Sequence, residues 1–231
     1  MTYRRLGVVT GLAKEAACLR GFAADDRLRV VCAAADADRA AAAARTLTQS
    51  LGCAGLISFG VAGGLAPGAP PGALLLPESV VTLEGKAYAT NRDWRKLLID
   101  RLDWPAPPIE EQVMGVDAPV ASAARKRRLW RQTAACAIDT ESHRVAQAAV
   151  AAQVPFLVIR AVADPFRRDI PPWLPATIAD DGAPDVGAVA AGLARRPWQL
   201  PRLVALGLDF RCAMKTLRRV ALRAGPLFFF R

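Results

Sequence analysis

Three acidic residues stand at the ends of apolar runs, where they could take part in chemistry. Asp164 follows one apolar run, Glu141 precedes an alanine-rich segment, and Glu15 follows the first apolar run of the chain. Because ligands of open α/β sheets bind beyond the carboxyl ends of the strands, we expect Asp164 to be catalytic and Glu141 to bind the ligand. Each acid also has a purely structural explanation. Glu15 and Glu141 could stabilise the first turn of a helix, and Asp164 could start an Asp-Pro turn.

A glycine-rich segment, SFGVAGG, occupies residues 58–64 after a predicted strand. Glycine lets backbone N–H groups come close to an anion or a sugar, so the segment predicts a ligand-binding loop. No Gly-Lys-Ser or Gly-Lys-Thr follows it and its spacing is not GxGxxG, which excludes the Walker and dinucleotide-binding motifs. A plain strand-to-helix turn is the alternative.

The elements that must position these residues alternate between strand and helix patterns. Apolar runs predict strands at residues 6–9, 28–33, 55–59, 113–116, 135–138 and 156–162, and an interrupted strand at 73–83. Alanine-rich or amphipathic patterns predict helices at residues 36–51, 94–102, 121–133, 142–153 and 202–223. This alternation is typical of an α/β domain. Residues 164–184 hold five prolines and no clear periodicity, which predicts a functional loop such as a lid.

The composition is that of a globular domain with a basic C-terminal segment. The chain has 231 residues, of which 53% are hydrophobic and 23% charged, enough for a sizeable core. Its net charge of +10 is uneven, because residues 192–231 carry eight arginines and one lysine against a single aspartate. We therefore predict a catalytic domain at residues 1–191 and a basic amphipathic helical extension of the same domain at residues 192–231.

Several classes of protein are not expected. No apolar run reaches the roughly 18 residues of a membrane span, and Lys14 interrupts the N-terminal run too early for a signal peptide, so we expect a cytoplasmic protein. The five cysteines show no CxxC spacing and are expected to be buried free thiols. His143 is the only histidine, which argues against a metal site or a Ser-His-Asp triad and favours a packing or helix-surface role.

Four segments of the chain resemble, in order, the signature segments of nucleoside phosphorylase-like enzymes. They are GVVTGLAKEA, LISFGVAGGLAPGAPPGALLLPESVV, AIDTESHRVAQ and VPFLVIRAVADP, within residues 6–165. The type they resemble most is the 5′-methylthioadenosine/S-adenosylhomocysteine nucleosidase. The resemblance implies a single three-layer α/β/α domain with a central mixed sheet, a homo-oligomer, a nucleoside substrate and no cofactor.

The resemblance also implies a role for each candidate residue. Asp164 would be the general acid that protonates purine N7, which makes the base a better leaving group. Glu141 would accept hydrogen bonds from the ribose 2′- and 3′-hydroxyls, and Glu15 would orient the attacking water. The remaining substrate-binding positions would be Gly60, Val61, Ala62, Gly63, Thr140 and Arg160.

The chain departs from the family pattern at three positions. Val61 stands where the family often has serine, and Thr140 stands where a methionine usually stacks on the sugar. Ser58 stands where hexameric phosphorylases carry a phosphate-binding arginine. The nucleophile therefore remains open between water and phosphate, with phosphate as the expected co-substrate. Its candidate ligands are Arg160, Arg167 and Arg168.

The predicted helix at residues 202–223 has an apolar face and a basic face. The apolar face holds Leu203, Leu206, Phe210, Met214, Leu217 and Ala221, and the basic face holds Arg211, Lys215, Arg218, Arg219 and Arg223. One interpretation is that the apolar face packs on the domain. The other is that the helix and the following Phe228, Phe229 and Phe230 lie on an anionic membrane surface. Nucleic acid is not an expected partner, because aromatic residues are not interleaved with the basic ones.

This extension resembles that of the hopanoid-associated branch of the family, which acts on adenosylhopane, an adenosine with a large triterpenoid on its 5′ carbon. The resemblance implies release of adenine from adenosylhopane, with phosphate as acceptor, by an enzyme at the inner face of the membrane. The apolar segment 171–175 would form the entrance for such a substrate. The alternatives are a hydrolase of methylthioadenosine or S-adenosylhomocysteine, and a non-catalytic nucleoside-binding protein at the membrane.

Overall fold

A computed structural model describes residues 4–230, which form one mixed sheet of nine strands with helices on both faces. The strands are β1 (Arg5–Thr10), β2 (Leu28–Cys32), β3 (Cys53–Gly64), β4 (Leu74–Leu75), β5 (Ser79–Val81), β6 (Ala87–Ala89), β7 (Val113–Gly115), β8 (Ala137–Asp139) and β9 (Phe156–Asp164). The helices are α1 (Ala13–Ala17), α2 (Ala37–Arg45), α3 (Arg92–Leu102), α4 (Ala123–Thr133), α5 (Ser142–Ala151), α6 (Val186–Ala194) and α7 (Leu200–Ala224). The predicted three-layer α/β/α fold is confirmed.

The order of the strands brings several strand ends to one edge of the sheet. The main path runs β2-β1-β3-β8-β7-β5-β6, and β9 pairs with both β3 and β4. Strands β1, β3 and β9 are parallel neighbours, whereas β8 crosses the end of β3 in the antiparallel sense. Because parallel strands end on the same side, the carboxyl ends of β1, β3 and β9 meet there, as ligand sites of α/β sheets require.

Strand β9 is the centre of the molecule, and every one of its residues is buried. Successive side chains of a strand point to opposite faces. Leu157 and Ile159 pack in the cluster that includes α3 and α7, and Val158 and Val162 pack in the cluster that includes α2 and α5. Arg160 lies between the last two on the same face, so a guanidinium group stands in the middle of an otherwise apolar layer.

Two predicted elements differ from the observed ones. The glycine-rich segment is not a loop, because β3 continues through it to Gly64 and pairs with β9 on one side and β8 on the other. The segment at residues 73–83 forms two short strands, β4 and β5, with Pro77 between them, since proline has no N–H to donate to a continuous ladder. Asp164 is the last residue of β9 and not a residue beyond it.

The C-terminal helix packs into the core, and so does most of the aromatic tail. The buried face of α7 is formed by Ala213, Thr216, Leu217, Val220, Ala221 and Ala224. Phe228 lies with its ring centroid 5.8 Å from that of Phe59, and its carbonyl accepts a hydrogen bond of 2.7 Å from Trp94 Nε1. Phe230 is 9% exposed and stacks on Trp94 at 4.8 Å. The prediction that the aromatic tail faces a membrane is therefore wrong for Phe228 and Phe230.

The predicted division of the chain at residue 191 falls inside α6 and stays a prediction. Within residues 4–230, none of the helices combines the length and the apolar character that crossing a membrane requires. The five cysteines are all free, but the prediction that they are buried holds only for Cys53 and Cys136, and Cys212 is exposed.

Truncating Phe228 should destabilise the fold strongly. Its side chain is fully enclosed, so Phe228→Ala leaves a cavity, and we expect a loss of about 3–5 kcal/mol in the free energy of unfolding. Denaturant titration followed by circular dichroism measures this. Leu222→Ala is the control, because Leu222 is 67% exposed on α7 and its truncation should cost less than about 0.5 kcal/mol. Equal unfolding midpoints for the two variants would contradict the burial of the tail.

Candidate active site

A pocket opens where β1, β3, β8 and β9 end, and it gathers most of the residues predicted from the sequence. Seven of them line it, namely Glu15, Val61, Ala62, Gly63, Thr140, Glu141 and Asp164. Gly60 and Arg160 lie beneath it, in contact with these acids. The pocket thus collects four carboxyl groups on separate elements, because Asp139 at the end of β8 joins the acids of α1, the start of α5 and the end of β9.

Arg160 is the positive charge under the pocket. It is fully buried, and its Nη2 donates to Glu141 Oε2 at 2.9 Å, Asp139 Oδ1 at 3.0 Å and Ser58 Oγ at 2.7 Å. Its Nη1 donates to the carbonyl of Val61 at 3.3 Å. The guanidinium is therefore enclosed by protein acceptors and balances two buried carboxylates, as buried ion pairs require.

Glu141 is held from both of its oxygens. It stands at the N-terminal cap position of α5, where Oε1 accepts a 2.6 Å hydrogen bond from the hydroxyl of Thr140 and Oε2 accepts from Arg160. Burial raises the pKa of the Glu141 carboxyl, and the adjacent Arg160 opposes that rise. Thr140 therefore orients the glutamate. The family usually has a methionine at this position, which stacks on the sugar. Asp139 supports the same turn, because its Oδ1 accepts from the backbone N–H of Glu141 and Ser142.

Glu15 is enclosed at the start of the short helix α1. Its Oε2 accepts from the backbone N–H groups of Gly11 and Leu12, and its Oε1 accepts from that of Val61, each at 2.8 Å. Burial, followed by repulsion from Glu141, raises the pKa of Glu15 to about 7. A carboxyl group in this range exchanges its proton near neutral pH, which suits a general base.

Two glycines let these carboxyl groups approach the strands. A Cβ atom at position 60 would lie 2.5 Å from Arg160 Nη1 and 2.6 Å from Glu15 Oε2, and one at position 11 would lie 2.7 Å from Glu141 Oε1. Any side chain at Gly60 or Gly11 would displace the charged groups. The glycine segment was predicted to bring its backbone close to a ligand, yet the N–H of Val61 donates to Glu15.

Asp164 closes the opposite side of the pocket, at a register shift between β9 and β3 opposite Gly63. Its Oδ2 accepts a hydrogen bond from Nζ of Lys126, on α4. Burial raises the pKa of Asp164, and the Lys126 ammonium opposes the rise. Lys126 was missed from the sequence because it belongs to the basic run RKRR, which is typical of a solvated helix surface. Its three-residue spacing from Ala123 and Leu129, the buried face of α4, is the signal that could have found it.

Several other candidates lie away from the pocket. Arg167 stacks on Phe166, and Arg168 is paired with Asp209 at 2.8 Å, so neither phosphate candidate lines the pocket. Trp173, predicted for the apolar entrance, packs against α6, and its Nε1 donates to Gln199 at 2.9 Å. Besides Asp164, Ile170 is the residue of segment 164–184 that lines the pocket.

His143 has a packing role. It is buried beside Gly115, where a Cβ atom would lie 2.3 Å from its own Cβ, and its Nε2 lies 2.9 Å from Asp117 Oδ1. Over residues 4–230, no group of three or more histidine, cysteine or acidic side chains is arranged to hold a metal ion.

The three layers and the acids at the strand ends are those of an α/β enzyme. The family model of the phosphorylase superfamily matches residues 20–194, and the chain therefore belongs to the phosphorylase superfamily. The prediction of an enzyme of the nucleoside phosphorylase and nucleosidase type is confirmed at the level of that superfamily. No curated protein matches the chain in sequence.

Solved structures with the same fold include two nucleosidases and a futalosine hydrolase. The 5′-methylthioadenosine/S-adenosylhomocysteine nucleosidase of Neisseria meningitidis is 14% identical, with a TM-score of 0.73 over 96% of this chain and 98% of that one. The Helicobacter pylori enzyme of the same name is 15% identical, with a TM-score of 0.71 over 96% of each chain. The futalosine hydrolase of H. pylori is 15% identical, with a TM-score of 0.67 over 94% and 97%. These similarities establish the shared fold.

Replacing Glu15 by glutamine should change how stability depends on pH. The folded pKa of about 7 lies above the ordinary 4.5, so Glu15 favours folding most below pH 4.5 and loses that contribution as the pH rises through 7. Between about pH 5 and about pH 8, the unfolding free energy of the wild type should therefore fall by roughly 2–3 kcal/mol more than that of Glu15→Gln.

Denaturant titrations at the two pH values measure this difference. Glu111→Gln is the matched control, because Glu111 is exposed and its loss should leave the pH dependence of the wild type unchanged. If Glu15→Gln loses stability with pH as steeply as the wild type, the Glu15 carboxyl does not titrate near neutral pH.

Proposed function

We propose that this protein cleaves the N-glycosidic bond of an adenosine derivative and releases adenine. The observation that carries the proposal is that three of the four buried carboxyl groups around one pocket each have a different partner. Backbone N–H groups hold Glu15, Arg160 holds Glu141, and Lys126 holds Asp164. Environments that separate the proton affinities of neighbouring carboxyl groups are the usual basis for dividing acid, base and binding roles.

In this mechanism Asp164 and Glu141 grip opposite ends of the nucleoside. Asp164 protonates the base at N7, so that adenine leaves as a neutral molecule while the ribose becomes oxocarbenium-like. Glu141 accepts hydrogen bonds from the 2′- and 3′-hydroxyls, for which an acceptor-only group with two oxygens is suited. The hydroxyl of Thr140 and the guanidinium of Arg160 keep the carboxylate oriented.

Water is the nucleophile that the site favours. Among residues 4–230, no lysine or arginine side chain lines the pocket, and the Arg160 guanidinium is enclosed by protein acceptors. Glu15, with a pKa of about 7, is able to take a proton from an attacking water molecule near neutral pH. Phosphate, the acceptor predicted from the sequence, stays a prediction that the assay below tests.

The 5′ substituent is proposed from the resemblance of the extension to the hopanoid-associated branch, which makes adenosylhopane the first candidate substrate. Methylthioadenosine and S-adenosylhomocysteine are the alternative substrates. Two solved structures with the same fold are nucleosidases named for these compounds, which supports the alternatives. A non-catalytic nucleoside-binding protein is the alternative from another class. Adenine release separates the three.

The assay measures adenine released from adenosylhopane and from methylthioadenosine, each with and without phosphate. Release from adenosylhopane supports the proposed substrate, and release without phosphate supports water as the nucleophile. Release from methylthioadenosine alone would replace adenosylhopane by the smaller substrate. Binding without release from any adenosine derivative would favour the non-catalytic alternative.

Asp164→Asn should slow adenine release by about 10²–10⁴-fold, because the amide of asparagine is not acidic enough to transfer a proton to N7. The measurement is kcat, with circular dichroism to show that the variant is folded. Asp26→Asn is the control, since Asp26 is an exposed aspartate away from the pocket, and it should keep the wild-type rate. Full activity of Asp164→Asn would exclude Asp164 as the general acid.

We also propose that the extension binds an anionic lipid surface and that the enzyme is a homo-oligomer. Phe228 and Phe230 are buried, so the apolar contact would come from the outer face of α7. Leu200, Val204 and Leu208 are each at least half exposed and recur every fourth residue, and Trp198 precedes them with 72% exposure. Exposed arginines flank this stripe, and they are Arg195, Arg202 and Arg211.

Replacing Val204 and Leu208 together by serine should abolish co-sedimentation with vesicles containing phosphatidylserine, because the stripe loses its apolar surface. Val150→Ser is the control, since Val150 is 58% exposed on α5, away from the extension. If the wild type co-sediments equally with purely zwitterionic vesicles, the exposed arginines do not contribute to binding by attracting anionic lipid. A change in sedimentation coefficient without loss of vesicle binding would assign the stripe to subunit contact.

A further inference from the structure

Lys126 is a buried lysine that the mechanism above does not yet use. Its side chain is completely enclosed on the inner face of α4, and its Nζ donates to Asp164 Oδ2 and, at 3.3 Å, to the carbonyl of Arg168. A buried ammonium is unfavourable unless it is paired and hydrogen-bonded. The ion pair with Asp164 therefore accounts for the charge of Lys126.

Because Lys126 lies behind Asp164, the two oxygens of the Asp164 carboxyl group have different surroundings. Lys126 does not line the pocket, whereas Asp164 does, so the lysine acts on a ligand through the aspartate. One oxygen of Asp164 is engaged by the ammonium, which leaves the other for the ligand. This arrangement fixes the rotation of the carboxyl group, which a general acid needs in order to meet a ring nitrogen.

The other two charges that face Asp164 act in opposite directions. Asp209, on α7, and Arg168, in the segment after β9, act on Asp164 with opposite signs and form an ion pair at 2.8 Å. Burial raises the pKa of Asp164, and Lys126 is the largest influence that lowers it. The lysine is thus the charge that offsets desolvation of this carboxyl group.

We propose that Lys126 is a positioning residue for Asp164 that holds the carboxyl group by one oxygen, an inference that rests on the proposed role of Asp164 as general acid. The Lys126 ammonium also lowers the pKa of Asp164, against the effect of burial. An acid is most effective when its proton affinity suits the working pH. A desolvated aspartate without this countercharge would keep its proton instead of passing it to the base.

The pH dependence of kcat for adenine release tests the proposal. Lys126→Met removes the charge at similar volume, so Asp164 should stay protonated to a higher pH, and the descending limb of the profile should move up by about 1–3 pH units. Lys126→Arg retains the charge and should return the limb toward the wild type. Arg127→Met, an exposed neighbour on α4, is the control and should leave the profile unchanged. An unmoved limb in Lys126→Met would overturn the proposal.

A second measurement does not depend on activity. In ¹³C NMR of aspartate-labelled protein, the carboxyl signal of Asp164 is identified as the one that is missing from the spectrum of Asp164→Asn. The titration midpoint of this signal should rise by about 1–3 pH units in Lys126→Met. Lys126→Gln replaces Lys126→Met if the latter does not fold. The same midpoint with and without the lysine charge would overturn the inference. If the wild type releases no adenine while the midpoint moves, the proposed substrate fails and the control of Asp164 by Lys126 stands.

Discussion

Burying Asp139 and Glu141 side by side requires a positive charge, and Arg160 supplies it from the middle of β9. A carboxylate loses its hydration when it is buried, and the enclosed guanidinium replaces that hydration with fixed hydrogen bonds. The arrangement depends on the strand pattern, because Arg160 occupies an inward position between Val158 and Val162. It also depends on Gly60, which leaves room for the guanidinium and for Glu15. The pocket, the sheet and the glycine segment are therefore parts of one electrostatic arrangement.

Buried cations stabilise the carboxyl groups on both sides of the pocket, but the pairing differs. On one side Glu141 and Asp139 share Arg160, while Glu15 relies on backbone N–H groups and is raised in pKa by burial and by Glu141. On the other side Asp164 pairs with Lys126, and the ion pair of Asp209 and Arg168 lies nearby. An ion pair that is removed from water keeps its geometry better than an exposed one, since solvent does not compete for its partners. The groups around the pocket are therefore held in fixed positions.

The parts of this arrangement that are local in the chain could be predicted from the sequence. Glu15, Glu141 and Asp164 were identified because each stands next to an apolar run, and strand ends converge in α/β sheets. The continuation of β3 through the glycines could not be predicted, because it depends on pairing with β8 and β9, which come far later in the chain. Lys126 was missed for a similar reason. A lysine in a basic run is normally solvated, and only the distant Asp164 makes its burial favourable.

The burial of Phe228 and Phe230 sets an order of events during synthesis. Phe228 lies against Phe59 of β3, and Phe230 fills the space left by Gly55 on the same strand, so the layer between β3 and α3 stays open until these last aromatic residues arrive. On the ribosome, the earlier strands would form their pocket-facing side while the opposite side still exposes apolar surface. Until residues 228–230 have left the exit tunnel, the nascent chain would expose the apolar surface that they cover, which favours binding of a chaperone.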